Sequence, residues 1–115
     1  MSGEAMSRTP PELLQGTVDL LILRAVAGGP LHGYAISRWV EERSSGVLTV
    51  DGAALYQALH RLEHRKWVAA AWGRSENNRR ARFYQLTPTG RARLRSDMVV
   101  WQRYADAVAT VLSPA

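Results

Sequence analysis

The sequence predicts a mainly α fold with one small β-hairpin and a long C-terminal helix. Three observations lead there. Apolar residues recur at helical spacing in three successive stretches before residue 66. Two short runs rich in β-branched and aromatic residues then flank a polar, Arg-loaded turn. The last stretch carries apolar residues spaced 4, 3, 4, 3 and 4 apart.

The first helix is expected from Leu13 to Ala27, where Leu14, Val18, Leu21, Ile22 and Ala25 form a stripe and Gly28, Gly29 and Pro30 stop the element. The second, Gly33 to Ser44, puts Ala35, Ile36, Trp39 and Val40 on one side and Arg38, Glu41, Glu42 and Arg43 off it, ending near Ser45 and Gly46. Asp51 is the expected N-cap of a third helix reaching about Lys66, because its carboxylate can accept from the free amides of the first turn. There Leu55, Ala58, Leu59 and Leu62 form the buried stripe. Ala53, Gln57, His60 and His64 face the opposite way, flanked by Tyr56 and Arg61. The hairpin strands are expected at Trp67 to Arg74 and Arg82 to Thr87, with either Tyr84 and Leu86 or Phe83 and Gln85 facing the core. Thr87 or Thr89 can cap the last helix, whose seam of Leu94, Met98, Trp101, Ala105, Val108 and Leu112 covers 19 residues, about 28 Å at 1.5 Å per residue.

The chain has 115 residues, about the size of one average domain, so a separate cofactor module is not expected. Hydrophobic (46%) and charged (22%) fractions are ordinary globular values, which excludes collagen-like and wholly disordered readings. Zero cysteines exclude disulfides, thiolate nucleophiles and Cys-ligated zinc. Apolar runs fall short of a membrane span; Ala25 to Ser37 is broken by Gly28, Gly29, Pro30 and Gly33. Residues 1–12 read as a flexible leader without an apolar signal core, and a cytoplasmic location is expected.

A net charge of +5 favours acidic partners, nucleic acid first. It is unevenly placed. From Arg61 to Arg95 ten basic residues stand against two acids, a net +8, while the remainder of the chain, five basic and eight acidic, carries −3. Three helices followed by a two-stranded hairpin is the order of a winged helix-turn-helix, with the second and third helices as the reading pair and the hairpin as the wing. The connection of about seven residues between those helices exceeds the tight turn of the simplest motif. Residues 13–87 are therefore read as a winged helix-turn-helix DNA-binding domain and 88–115 as a C-terminal dimerisation helix.

Four strings in order carry a family resemblance. They are Leu31-His32-Gly33-Tyr34, Leu55-Tyr56, Leu59-His60-Arg61-Leu62-Glu63, and Asn77 through Thr87 with Gly90. Together they resemble the PadR family of bacterial transcriptional regulators over about Leu14 to Leu112, and the single short last helix resembles its smaller subgroup. The resemblance implies a homodimer joined through the last helix that usually represses its own gene and neighbouring genes such as transporters. Three residues depart from the family pattern. Ala54 stands where a hydroxyl residue is common, Gln57 where proline is frequent, and Lys66 where a glycine usually ends the recognition helix. In multidrug-sensing relatives a tryptophan matching Trp101 lines a cavity between protomers, which implies a planar aromatic effector held by Met98 and Trp101; ordinary dimer core is the other reading of Trp101.

The expected DNA-binding residues are Ala53, Ala54, Tyr56, Gln57, His60, Arg61, Arg79, Arg80 and Arg82. Gln57 can pair bidentately with adenine, Arg61 can reach phosphate or guanine, and Ala53 or Ala54 can meet a thymine methyl. Tyr56 is expected to donate to phosphate, with simple packing as the alternative. The wing arginines suit phosphate or the minor groove, against the plainer reading of a solvated turn. The rest of the last helix is expected to bury its seam, Leu94, Met98, Trp101, Ala105, Val108 and Leu112, against a second copy, with the first helix contributing through Leu20 to Leu23.

His60 through His64 also spells the H-x-x-E-H string of inverted zinc peptidases, where two histidines one turn apart bind metal and the glutamate is the base. With no evident third ligand, no metal, cofactor or enzymatic activity is expected; the histidines read as polar residues on an exposed helix face. His32 is expected to cap or pack between helices rather than sense a ligand. The expected partners are double-stranded DNA, a second copy of the chain and a small planar aromatic effector, with no membrane. The alternative is a winged-helix protein-interaction module, which would have no need of so many arginines on its wing.

Overall fold

The computed structural model describes residues 15–114. The leader expected at 1–12, and Leu13 and Leu14 at the expected start of the first helix, lie outside the described residues. The elements in order are α1 (Gln15–Val26), β1 (Leu31–His32), α2 (Gly33–Arg43), α3 (Gly52–His64), β2 (Val68–Arg74), β3 (Arg80–Leu86) and α4 (Pro88–Leu112). This is a winged helix-turn-helix with a long C-terminal helix. Four helices and the hairpin fall where hydrophobic periodicity puts them.

One strand is additional. β1 pairs antiparallel with β3, Leu31 opposite Tyr84 and His32 opposite Phe83, so the expected hairpin is a three-stranded sheet of order β1-β3-β2. Two residues are too few to show a period, which is why β1 reads as part of the Gly-rich turn. On β2 and β3, Val68 faces Leu86 and Ala70 faces Tyr84, and Val68 and Tyr84 are buried. Tyr84 and Leu86 are thus the inward pair, and burial raises the Tyr84 phenol above its ordinary pKa, with Arg82 acting in the opposite direction.

The core joins Val18, Ile22, Leu23 and Val26 of α1 to Ile36 of α2, Leu55, Leu59 and Leu62 of α3, Val68 and Tyr84 of the sheet, and Leu94 of α4. Two expectations change here. Leu23, off the expected stripe of α1, is buried and Leu21 only partly so. Ile22 and Leu23 therefore hold the monomer together and are not free for a partner. Leu94, read as the start of the dimerisation seam, is 5% exposed within its own chain, because the first turns of α4 lie against α1 and the sheet.

The helix ends explain the connections. The Asp51 carboxylate accepts from the Ala53 amide at 3.4 Å, capping α3. At its other end, Lys66 takes φ +63°, its amide donating to the Glu63 carbonyl and that of Trp67 to Leu62, each at 3.0 Å. The left-handed turn that usually takes glycine therefore carries a lysine side chain. α2 ends the same way on Ser45, φ +54°, with Gly46 donating to Glu41 at 2.8 Å. Ser44 then closes the long connection, accepting from the Leu48 amide at 3.0 Å and donating to the Val40 carbonyl at 2.9 Å.

Thr87 caps α4, accepting from the Gly90 amide at 2.9 Å and donating to the Lys66 carbonyl at 2.7 Å. Gly90 is required by close approach: a Cβ there would run into the Trp67 carbonyl oxygen. Beyond Leu94 the helix leaves the domain. Met98, Val100, Trp101, Tyr104, Val111 and Leu112 are between 41% and 81% exposed. The Cα radius of gyration is 15.9 Å, against about 13 Å for a compact chain of this size. Among the described residues no helix is long and apolar enough to cross a membrane.

Candidate nucleic-acid interface

Because Leu55, Ala58, Leu59 and Leu62 are spent on the core, α3 turns Ala53, Tyr56, Gln57 and His60 outward, with Ala54 half-buried at the edge. The face is polar, with acceptors, donors and no carboxylate among these residues. Tyr56 is 57% exposed, yet its hydroxyl rests on the start of α2: a Cβ at Gly33 would lie 2.6 Å from it. A glycine at 33 lets the two reading helices meet there.

The wing stands beside this face, and between them runs a cleft of about 950 Å³ lined by His32, Tyr34 and Arg38 from the α2 side, Tyr56 from α3, and Trp72, Arg79, Arg80 and Arg82 from the wing. His32 fixes one wall. Its Nδ1 accepts from the Ala35 amide at 3.2 Å, which caps α2, and its ring meets Phe83 edge-on at 5.2 Å. Its Nε2 lies 3.6 Å from Glu76 at the wing tip. The expected capping role of His32 is thus its geometry. The tip itself is locked by Asn78 at φ +59°, with the Arg74 guanidinium donating to the Asn78 carbonyl at 3.2 Å.

The arginines divide by partner. Arg79 and Arg80 are exposed on the wing. The guanidinium of Arg80 lies over the Trp72 ring, 4.3 Å from its centroid. Arg82 reaches across to α3 and donates to Glu63 at 2.8 Å, tying the wing to the reading helix. Arg38 bonds to Tyr34 and Glu42 on its own helix.

Arg61 departs from its expected role. It turns back to α1 and donates to Asp19 at 2.7 Å, 29% exposed, with its Nε buried and without a hydrogen-bond partner among the described residues. Periodicity placed it at the margin of the outer face, and a carboxylate 42 positions earlier draws it inward. The +8 window divides in the same way. Arg65 and Arg93 lie over the Trp67 ring, at 5.1 and 4.7 Å, outside the cleft, and Arg93 also pairs with Asp97 at 3.1 Å. Glu63 of the H-x-x-E-H string is held by Arg82, and among the described residues no three His, Asp or Glu are placed to hold a metal. Tyr34, Arg38 and Trp72 line the cleft without having been singled out from sequence.

Residues 22–96 match the transcriptional regulator PadR-like family. The chain belongs to that family. An uncharacterized protein of Lysinibacillus sphaericus is 25% identical over 97 residues, covering 84% of this chain and 89% of that protein. Among solved structures, a transcriptional regulator from Clostridium thermocellum superposes with a TM-score of 0.77 at 24% identity, over 86% of this PadR-like chain and 96% of that one. Bacillus subtilis PadR in complex with operator DNA superposes with a TM-score of 0.63 at 20% identity, over 71% of this chain and 46% of that one.

The ion pair predicts how Arg61 responds to mutation. Arg61→Ala leaves Asp19, 14% exposed, without its partner and should cost about 1 to 2 kcal/mol in urea unfolding, less than the penalty for a fully buried pair. Gln57→Ala, on the exposed face, should leave the midpoint unchanged. Equal midpoints for wild type and Arg61→Ala would contradict a structural role.

Proposed function

We propose that this PadR-like regulator is a repressor that binds a pseudo-palindromic promoter operator as a homodimer. The observation that carries the reading is the pairing of an uncharged outer face on α3 with a cleft lined by Arg38, Arg79, Arg80 and Arg82 against one carboxylate, Glu76. A protein-binding face gains little from such a wall, whereas a duplex presents base edges to the helix and phosphates to the cleft. The operator complex of Bacillus subtilis PadR supports the same assignment by likeness of fold. In this reading α3 enters the major groove. Gln57 pairs with adenine, Ala53 and Ala54 meet apolar edges, and Tyr56 and His60 donate to the backbone. The wing supplies Arg79, Arg80 and Arg82. Within the described residues, 15–87 make up the proposed DNA-binding domain and α4, Pro88–Leu112, the proposed dimerisation helix. Because occupancy of the promoter suffices for control, no cofactor or chemical step is required.

The exposed face of α4 supports self-association. Met98, Trp101, Ala105, Val108 and Leu112 lie on one side of a 25-residue helix whose last turns have no cover among the described residues. The Trp101 and Tyr104 rings lie side by side, centroids 5.8 Å apart and tilted by 36°. In a symmetric pair Met98 and Trp101 would form the walls of an apolar slot for a planar aromatic effector, which weakens operator binding by its preference for one spacing of the reading heads.

Arg79→Ala with Arg80→Ala should weaken operator affinity and flatten its salt dependence by about 0.9 in log–log slope for each phosphate left unneutralised, measured by fluorescence anisotropy across salt. Gln57→Ala should instead relax sequence preference. An unchanged slope in the double variant would remove the wing from the DNA interface. Wild type should be a dimer by light scattering at micromolar concentration, and Met98→Asp with Val108→Asp a monomer that loses operator binding, since one half-site forfeits most of the affinity. A monomeric wild type would overturn the dimer. Planar aromatics should quench wild type more than Trp101→Phe and release DNA; equal quenching would leave Trp101 as packing alone.

A further inference from the structure

Strand alternation puts Val68, Ala70 and Trp72 of β2 on the same face as their cross-strand partners Leu86, Tyr84 and Arg82. At the base of the wing that face is core. Two residues further out it has left the core, and Trp72 is 60% exposed on the wall of the cleft. Between Val68 and Arg74 the other residues of β2, Ala69, Ala70, Ala71 and Gly73, are small, so the Trp72 ring stands out from its immediate neighbours on the strand.

Arg80 covers it. Of the arginines that lie over aromatic rings among the described residues, Arg80 makes the closest approach, 4.3 Å to the Trp72 centroid. Stacking holds a guanidinium flat and leaves its in-plane N–H groups free to donate sideways. The charge also stays available. Arg82 and Arg38 are each bonded to a carboxylate, Glu63 and Glu42, whereas Arg80 is held by an aromatic face. A cation that is aimed but not neutralised, on a flat support at the outer end of the wing, suits a narrow slot of high negative potential better than an open row of phosphates. A duplex offers such a slot in the minor groove of A·T-rich steps. A G·C pair there places the guanine N2 amino group in the floor, adding a donor where a guanidinium needs acceptors.

We propose that Trp72 and Arg80 form one reading unit that enters the minor groove flanking the major-groove half-site and selects A·T over G·C there. The proposal rests on the DNA-binding role above and adds a determinant of sequence choice to it.

The test uses the full chain and a duplex recovered by the wild-type protein from a random-sequence pool. Each flanking step outside the major-groove half-site is rebuilt in turn as A·T, G·C or inosine·C. Inosine·C keeps the major-groove pattern of G·C but lacks the N2 amino group, so it isolates the minor groove. Wild type should bind A·T and inosine·C flanks alike and G·C about tenfold more weakly at one flank position, a discrimination typical of a single base pair. Trp72→Ala and Arg80→Lys should bind all three alike while still preferring the recovered half-site, and Trp72→Phe should retain part of the preference. Equal wild-type affinity for G·C and inosine·C flanks would overturn minor-groove reading. Full preference surviving in Trp72→Ala would overturn the role of the stack. Failure to enrich any sequence from the pool would instead defeat the DNA-binding reading itself.

Discussion

The hydroxyl of Thr87 holds the reading helix, the wing and the last helix at one point. It accepts from the Gly90 amide, which starts α4, and donates to the Lys66 carbonyl, which ends α3. The Thr87 amide donates to the Trp67 carbonyl at 3.1 Å, closing the base of the wing. These bonds form only because two backbone conditions are met. Lys66 takes a left-handed conformation that reverses the chain, and Gly90 lets the α4 backbone sit against the Trp67 carbonyl. With the Leu94 side chain buried one turn further on, the direction in which α4 leaves the domain is fixed by its first two turns. In the proposed dimer that direction sets the separation of the two α3 helices, and hence the half-site spacing a duplex must have.

Around this joint the arginines hold the assembly together by two means. Four are neutralised at close range: Arg61 by Asp19 ties α3 to α1, Arg82 by Glu63 ties the wing to α3, and Arg38 by Glu42 and Arg93 by Asp97 stay within α2 and α4. Tryptophan faces hold the others, and Arg93 as well. Arg24 and Arg43 flank Trp39, Arg65 and Arg93 flank Trp67, and Arg80 covers Trp72. The net charge of the basic window therefore overstates what a duplex meets in the cleft. The neutralised pairs give the reading head its shape, and the arginines over tryptophan rings, Arg93 with its Asp97 partner aside, keep their charge while losing freedom of movement.

Much of this was legible in the sequence, and the exceptions have a common cause. The buried stripe of α3, the Asp51 and Thr87 caps and the capping role of His32 are local features, set by spacing and side-chain chemistry within a few residues. β1 is too short to show a period and exists through pairing with β3, some fifty residues later. Arg61 lies on the edge of a helix face, and its direction depends on Asp19 in another helix. Leu94 continues the heptad seam in sequence, but tertiary packing divides the seam between the monomer core and the exposed stretch from Met98 onward. Trp72 belongs to a run that reads simply as strand, and only the register with Arg82 and the height of the wing put it on the cleft wall.

The joint at Thr87 can be tested by measuring distance between the reading helices of the proposed dimer. The chain has no cysteine, so a single spin label at the exposed position His64→Cys reports the end of α3 by pulsed dipolar spectroscopy. With Thr87 present the label-to-label distance should be one narrow distribution. Thr87→Val keeps the shape of the side chain but removes its bonds to Lys66 and Gly90, and it should broaden or shift that distribution while the dimer persists by light scattering. An identical narrow distribution in Thr87→Val would contradict the account, because the angle of α4 would then be set without the bonds that meet at Thr87.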